Sequence, residues 1–150
     1  MAIESIGVIG GGAWGTALAQ TLRLAGRRVT LWAREAETVD DINARHVNRT
    51  FLPGVPLDPG LTATGDLAAL ASADAILMVA PAQHVRTIAK QLRPQLKPGQ
   101  PIVLCAKGIE QTTGRMLGDV LTEVLPDQTL AVLSGPVSYT HLTLPTTILV

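Results

Sequence analysis

The sequence predicts an α/β fold: a doubly wound sheet of parallel strands with helices on both faces. Three observations carry that expectation. Short apolar runs alternate along the 150 residues with stretches of helical pattern, the order expected of β-α-β crossovers. The run Ala75-Ile76-Leu77-Met78-Val79 is apolar without interruption, as suits a strand covered on both faces. A glycine cluster, Gly10-Gly11-Gly12-Ala13-Trp14-Gly15, joins the apolar run Ile6-Gly7-Val8-Ile9 to a helical pattern from Thr16 to Ala25. Hydrophobic residues make up 47% of the chain, which excludes a disordered class. The length is enough for one ordinary domain with a real core.

The elements follow in order. After the first strand and helix, Gly26 is a natural helix C-terminal residue, and Arg28-Val29-Thr30-Leu31-Trp32 reads as a second strand. The polar stretch Arg34 to Asn48 is expected to be helical at least from Ala36 to Ala44. Phe51 to Gly60 holds three prolines and two glycines and reads as a loop. Leu61-Thr62-Ala63 is a short third strand, and Asp66 is placed to cap a small helix from Leu67 to Ala71. Asp74 ends a turn before the Ala75–Val79 strand. A helix from Gln83 to Leu92 stops before Pro94. A buried strand from Pro101 to Ala106, a helix from Thr113 to Leu125 and a strand from Leu130 to Leu133 complete the pattern.

Ligands in such sheets sit at the carboxyl ends of the strands. Four segments qualify by position: Gly10–Gly15, Trp32–Arg34, Val79–Ala82 and Ala106–Gly108. The first contains G-x-G-x-x-G at Gly10, Gly12 and Gly15. In a strand-turn-helix context this is a dinucleotide-binding signal. Gly10 permits the tight turn, Gly12 lets backbone approach a pyrophosphate, and Gly15 lets the helix pack closely. The pyrophosphate would meet unpaired N–H groups at the positive end of the helix.

NAD-preferring sites usually carry an acidic residue at the end of the second strand. Here Trp32-Ala33-Arg34-Glu35 puts a basic residue first. Arg34 suits a 2′-phosphate and an adenine face, which favours NADPH, while Glu35 keeps NADH open. Trp14, inside the glycine turn, either faces the cofactor or covers a neighbouring loop. Lys107 follows a buried strand in Cys105-Ala106-Lys107-Gly108 and offers a point charge to a phosphate or a polarised carbonyl. His46 and His84 lack partners at metal spacing and read as structural or solvent-facing. No metal site, P-loop lysine or nucleophile elbow is present in the sequence pattern.

Composition narrows the class. Twelve basic and twelve acidic residues cancel, so no general attraction to nucleic acid or to an anionic membrane is expected. Cys105 is the one cysteine; it cannot form an intrachain disulfide, suits a reducing compartment and, within an apolar run, reads as a buried core thiol. The N-terminus lacks a basic n-region, and the longest apolar run, Ala75 to Ala82, is too short to span a bilayer. A cytoplasmic protein without membrane insertion is expected.

The ordered set of stretches resembles the N-terminal cofactor-binding domain of bacterial NAD(P)-dependent glycerol-3-phosphate dehydrogenase. The similar stretches are Val8–Ala19, Leu31-Trp32-Ala33-Arg34, Asn48-Arg49-Thr50-Phe51-Leu52-Pro53, Val79-Ala80-Pro81-Ala82-Gln83, Ala106-Lys107-Gly108-Ile109-Glu110 and Leu133-Ser134-Gly135-Pro136. The resemblance implies a Rossmann-type sheet and an oxidoreductase that interconverts dihydroxyacetone phosphate and sn-glycerol 3-phosphate with NADPH or NADH, feeding phospholipid synthesis. It implies cofactor contacts from Ala13, Trp14, Arg34 and Phe51 beside the glycines. It also implies contacts from Lys107 to cofactor and substrate and from Gly135 to the substrate phosphate. A homodimer is the candidate assembly of the parent.

After Pro136 the sequence departs from the family, which continues with a small hydroxyl residue, Phe-Ala and an acidic position; here Val137-Ser138-Tyr139 stand. The expected division is an incomplete nucleotide-binding domain over 1–136 and a non-native tail over 137–150. Val137 to Thr146 resembles one translated frame of a sequencing-library adapter. The family's helical domain, with its principal catalytic lysine, has no counterpart in these residues. No catalytic residue is therefore assigned, and the chain alone is expected to be inactive. Two rival readings are a different reductase of the same fold, of ketopantoate or 6-phosphogluconate type, and a non-catalytic NADPH-binding module.

Overall fold

The computed structural model describes residues 2–134. Six of its segments are strands: β1 (Ser5–Ile9), β2 (Arg28–Trp32), β3 (Thr62–Thr64), β4 (Ala75–Met78), β5 (Pro101–Leu104) and β6 (Thr129–Val132). They form one parallel sheet in the order β3-β2-β1-β4-β5-β6. The chain works outward from β1 to β3, then returns to β4 on the other side of β1. The switch point between β1 and β4 is where such a sheet opens a crevice. The doubly wound expectation is met.

Strand alternation divides the core into two layers. Ile9, Ile76, Met78, Ile102 and Leu104 face one side, where α3 (Val85–Leu92) and α4 (Leu117–Val124) cover them. Ile6, Val8, Leu31, Leu77 and Cys105 face the other, covered by α1 (Ala13–Leu24) and by Ile42. Cys105 is the buried core thiol expected, and burial pushes its pKa up to about 11.

Several boundaries move for physical reasons. Helix α1 begins at Ala13 rather than Thr16, because Gly12 is its extended N-cap and small residues enter the first turn. It ends as predicted: Gly26 takes φ +81°, and the N–H groups of Gly26 and Arg27 bond back to Arg23 and Leu22. The expected 36–44 helix is α2 (Ala36–Asp40) continued by a wide π turn over Asp41–Arg45. Asp66 does cap the short 3₁₀ helix Leu67–Leu70, accepting the Ala68 N–H at 3.0 Å. Strand β5 stops at Leu104, since the next two N–H groups, of Cys105 and Ala106, both turn to the Met78 carbonyl. The helix expected from Thr113 starts only at Leu117: Gly114 turns at φ +70°, and Ile109 and Met116 pair across a small antiparallel bridge. At the opposite edge of the sheet, Asp74 does more than end a turn. Its carboxylate accepts the N–H groups of Glu4 and Ser5 and so ties β1 to β4, and those bonds lower its pKa.

Candidate functional site

At the switch point, beyond the carboxyl ends of β1, β2 and β4, lies a groove of ≈ 670 Å³. The glycine turn forms one part of it, and each glycine has its own reason. Gly10 turns at φ +129°, and a Cβ there would sit 3.0 Å from the Val79 carbonyl. A Cβ on Gly15 would fall 1.9 Å from the Gly10 oxygen, so only glycine lets α1 approach the turn. Gly11 is constrained as well: a Cβ there would clash with the Ala33 Cβ at 2.6 Å. Gly12 differs: a Cβ there meets nothing within 4 Å. The space over Gly12 is open, α1 has no capping side chain, and its first turn holds no acidic residue. An uncapped helix N-terminus beside open backbone suits an anion. The residues present therefore fit a pyrophosphate.

Trp14 and Phe51 both line the groove and stay half exposed, at 50% and 38%. Trp32 lines it too; its indole N–H donates to the Gly65 carbonyl at 3.1 Å, which fixes the ring. Arg34 stands at the same edge and, among the described residues, pairs only with Glu35, at 3.5 Å. Its side chain is 72% exposed, so that pair holds it weakly. Thr87, Ile88 and Gln91 on α3 also line the groove; no local pattern marked that face in advance. His84 is exposed as expected, at the rim of the same groove.

The loop that presents Phe51 is fixed from below. Asn48, 1% exposed, donates from Nδ2 to the Gly11 carbonyl at 2.9 Å and to Thr16 Oγ1 at 2.8 Å. Its Oδ1 accepts the Phe51 N–H at 3.1 Å. Next to it, Arg49 grips the buried Asp41 carboxylate through Nε at 3.0 Å and Nη2 at 2.7 Å, and Arg45 adds a third bond. The hydrogen-bonded Arg49 guanidinium is the main reason that the Asp41 pKa is lowered to about 2.

Lys107 stands apart. It follows β5, is exposed, and does not line the groove, so three of the four carboxyl-end segments come together there and the fourth lies alongside. Its loop is nonetheless held firmly. Gly108 turns at φ +127°. Gln83 donates to the Ile109 carbonyl and accepts the Gln111 N–H. Arg86 clamps the buried Glu110 through Nε at 2.7 Å and Nη2 at 3.0 Å, and also bonds Glu123. The Arg86 bond, followed by the Thr113 hydroxyl, lowers the Glu110 pKa to about 2. Gly135 and the 137–150 tail lie outside the described residues. Among the described residues, no cluster of three or more His, Cys, Asp or Glu side chains is placed to hold a metal, and no helix is long and apolar enough to cross a membrane.

Comparison with known proteins adds a family. Residues 5–142 match the model described as NAD-dependent glycerol-3-phosphate dehydrogenase N-terminus. A glycerol-3-phosphate dehydrogenase [NAD(P)+] of Paramagnetospirillum magneticum is 58% identical over 134 residues, covering 89% of this chain and 49% of its own length. One from Rhodospirillum rubrum is 62% identical over 136 residues, covering 89% of this chain and 39% of its own. The crystal structure of glycerol-3-phosphate dehydrogenase from Coxiella burnetii superposes with a TM-score of 0.83 at 33% identity, over 93% of this chain and 43% of that one. The chain thus spans less than half the length of these relatives.

Proposed function

The chain belongs to the family of NAD-dependent glycerol-3-phosphate dehydrogenase N-termini, and on that footing we propose that it is the cofactor-binding part of an oxidoreductase interconverting dihydroxyacetone phosphate and sn-glycerol 3-phosphate. The observation that carries the reading is the open space over Gly12 beside the uncapped α1 N-terminus. A bound nicotinamide cofactor supplies the hydride; the protein supplies position and charge. Gly10, Gly11 and Gly15 shape the turn, Gly12, Ala13 and Trp14 meet the dinucleotide, and Phe51 closes over it. Lys107 serves cofactor and substrate, and Gly135 the substrate phosphate. The work is done in the cytoplasm, and a homodimer is the parent's assembly.

Arg34 gives the cofactor preference. An exposed guanidinium at the end of β2 is suited to grip a 2′-phosphate bidentately. Titrating the chain with NADPH and with NADH, followed by nicotinamide fluorescence, tests both parts. NADPH is expected to bind about tenfold more tightly, and Arg34→Gln to remove most of that margin by weakening NADPH alone. Failure to bind either dinucleotide overturns the reading; equal loss for both in Arg34→Gln overturns the preference. The non-native origin of 137–150 is a separate proposal, motivated by the resemblance of Val137 to Thr146 to a translated adapter frame; a terminal strand is the alternative. Resequencing source DNA across codon 136 tests it, and a genomic frame encoding Val137 to Val150 unchanged removes it.

A further inference from the structure

Asn48 lies outside the groove, yet it is the side chain through which the glycine turn and the Phe51 loop touch. Gly11 and Asn48 are 37 residues apart in sequence. The hydrogen bonds fix the amide's orientation: the Gly11 carbonyl only accepts and the Phe51 N–H only donates, so Nδ2 faces the first and Oδ1 the second. Both Nδ2 hydrogens are used, the second on Thr16 Oγ1, whose hydroxyl in turn points at the same Gly11 carbonyl at 3.4 Å. Asn48 and Thr16 are 1% and 0% exposed, so this network is sealed from water.

The peptide plane gives the consequence. In a trans peptide the carbonyl and the following N–H point in opposite directions, and no cis bond occurs among the described residues. Drawing the Gly11 carbonyl inward aims the Gly12 N–H the other way. Gly12 N–H has no protein acceptor among the described residues, and the space over Gly12 is open. We infer that Asn48 is a positioning residue of the dinucleotide site: it aims the Gly12 N–H at the pyrophosphate and, through the Phe51 N–H, sets the aromatic side of the groove. The inference rests on the dinucleotide-binding reading above.

The chemistry demands an amide. Aspartate has the same shape, but its second oxygen would face the Gly11 carbonyl and put a negative charge beneath the anion site. Protonation restores one donor, and burial raises the pKa at which this happens. The test is calorimetry of NAD⁺ binding to the whole chain from pH 8 to 5.5, since NAD⁺ lacks a 2′-phosphate that would titrate in that window. Asn48→Asp is expected to bind at least tenfold more weakly at pH 8 and to regain at least threefold by pH 5.5, while the unsubstituted chain stays flat. Partial unfolding would follow the same pH course, because a buried carboxylate destabilises most when charged, so circular dichroism accompanies each titration. Asn48→Asp is expected to be as folded as the unsubstituted chain at pH 8, and an affinity loss that merely tracks a loss of folded fraction overturns the inference. An Asn48→Asp affinity within twofold of the original, or a tenfold loss without recovery, overturns the inference. If Asn48→Asp does not fold, Asn48→Ala at pH 8 carries the test, and an affinity within twofold overturns it. An unsubstituted chain that binds neither NAD⁺ nor NADPH removes the dinucleotide reading and this inference together; binding by that chain alongside unaffected variants removes the inference alone.

Discussion

Two turns at the carboxyl edge of the sheet, after β1 and after β5 with β4 between them, are fastened in different ways. The glycine turn after β1 is held from beneath by neutral groups, the Asn48 amide and the Thr16 hydroxyl. The loop after β5 is held by charge, with Arg86 bridging Glu110 and Glu123 and Arg115 reaching Glu123. The difference follows from what each turn has to offer. The glycine turn presents backbone N–H groups, whose partial charges are small; a full charge buried directly beneath them would outweigh them. The β5 loop presents Lys107, a full charge at the end of a long side chain, and the compensated Arg86–Glu110 pair, with Glu110 three residues along the chain, does not compete with it.

The largest effect expected from breaking this arrangement is at Gly15. Its added Cβ would lie 1.9 Å from the Gly10 carbonyl, which is backbone and cannot swing aside. Gly15→Ala is expected to cost on the order of 3 kcal/mol, a fall of about 10 °C in Tm for a chain of this size, and to abolish dinucleotide binding. A Tm within 2 °C of the original, by calorimetry, would show that the turn is not the rigid platform described.

Gly12→Ala sharpens the contrast within the same turn. Gly12 has φ −73° and ψ −175°, which alanine adopts freely, and its Cβ would meet nothing within 4 Å. Stability should change by less than about 0.5 kcal/mol, yet NADPH affinity should fall at least about tenfold as the methyl enters the approach to the pyrophosphate. Thermal unfolding and fluorescence titration on one sample separate the two. Unchanged NADPH affinity would break the assignment of the open space to the pyrophosphate.

How far the site could be read in the sequence follows the same division. Gly10 and Gly15 were legible because a positive φ and a backbone contact impose one residue type within a short motif. Arg34 was legible because its place at the end of β2 follows from strand periodicity. Gly11 was not, since its reason is the Ala33 Cβ on the neighbouring strand. The role of Asn48 is not legible either, because its partners Gly11 and Thr16 are distant in sequence and a polar residue in a polar segment carries no local sign of burial. The same non-locality explains α4. The Ile109–Met116 bridge holds the chain away from helix until Leu117, and Gly114 was the one local signal for it. Lys107 follows the end of β5, but adjacency of β4 and β5 does not by itself put its side chain in the groove.

The smallest predicted effect separates the two fastenings by pH. In the folded chain the pKa of Glu110 is lowered from 4.5 to about 2, first by Arg86, and that of Asp41 from 3.8 to about 2, first by Arg49. A carboxylate held below its unfolded value contributes stability that is complete above that unfolded value and is lost as pH falls toward the folded one. The urea midpoint of the unsubstituted chain should therefore hold near pH 6 and decline between about pH 4.5 and 2. Glu110→Gln should start lower at pH 6 and decline less steeply, because one of the titrating groups is gone, so the two curves converge in acid. Asn48→Ala should also start lower but run parallel to the unsubstituted chain, because an amide does not titrate. A Glu110→Gln curve parallel to the original would mean that the β5 loop is not held by its ion pair, and the distinction between a neutral and a charged fastening would fall.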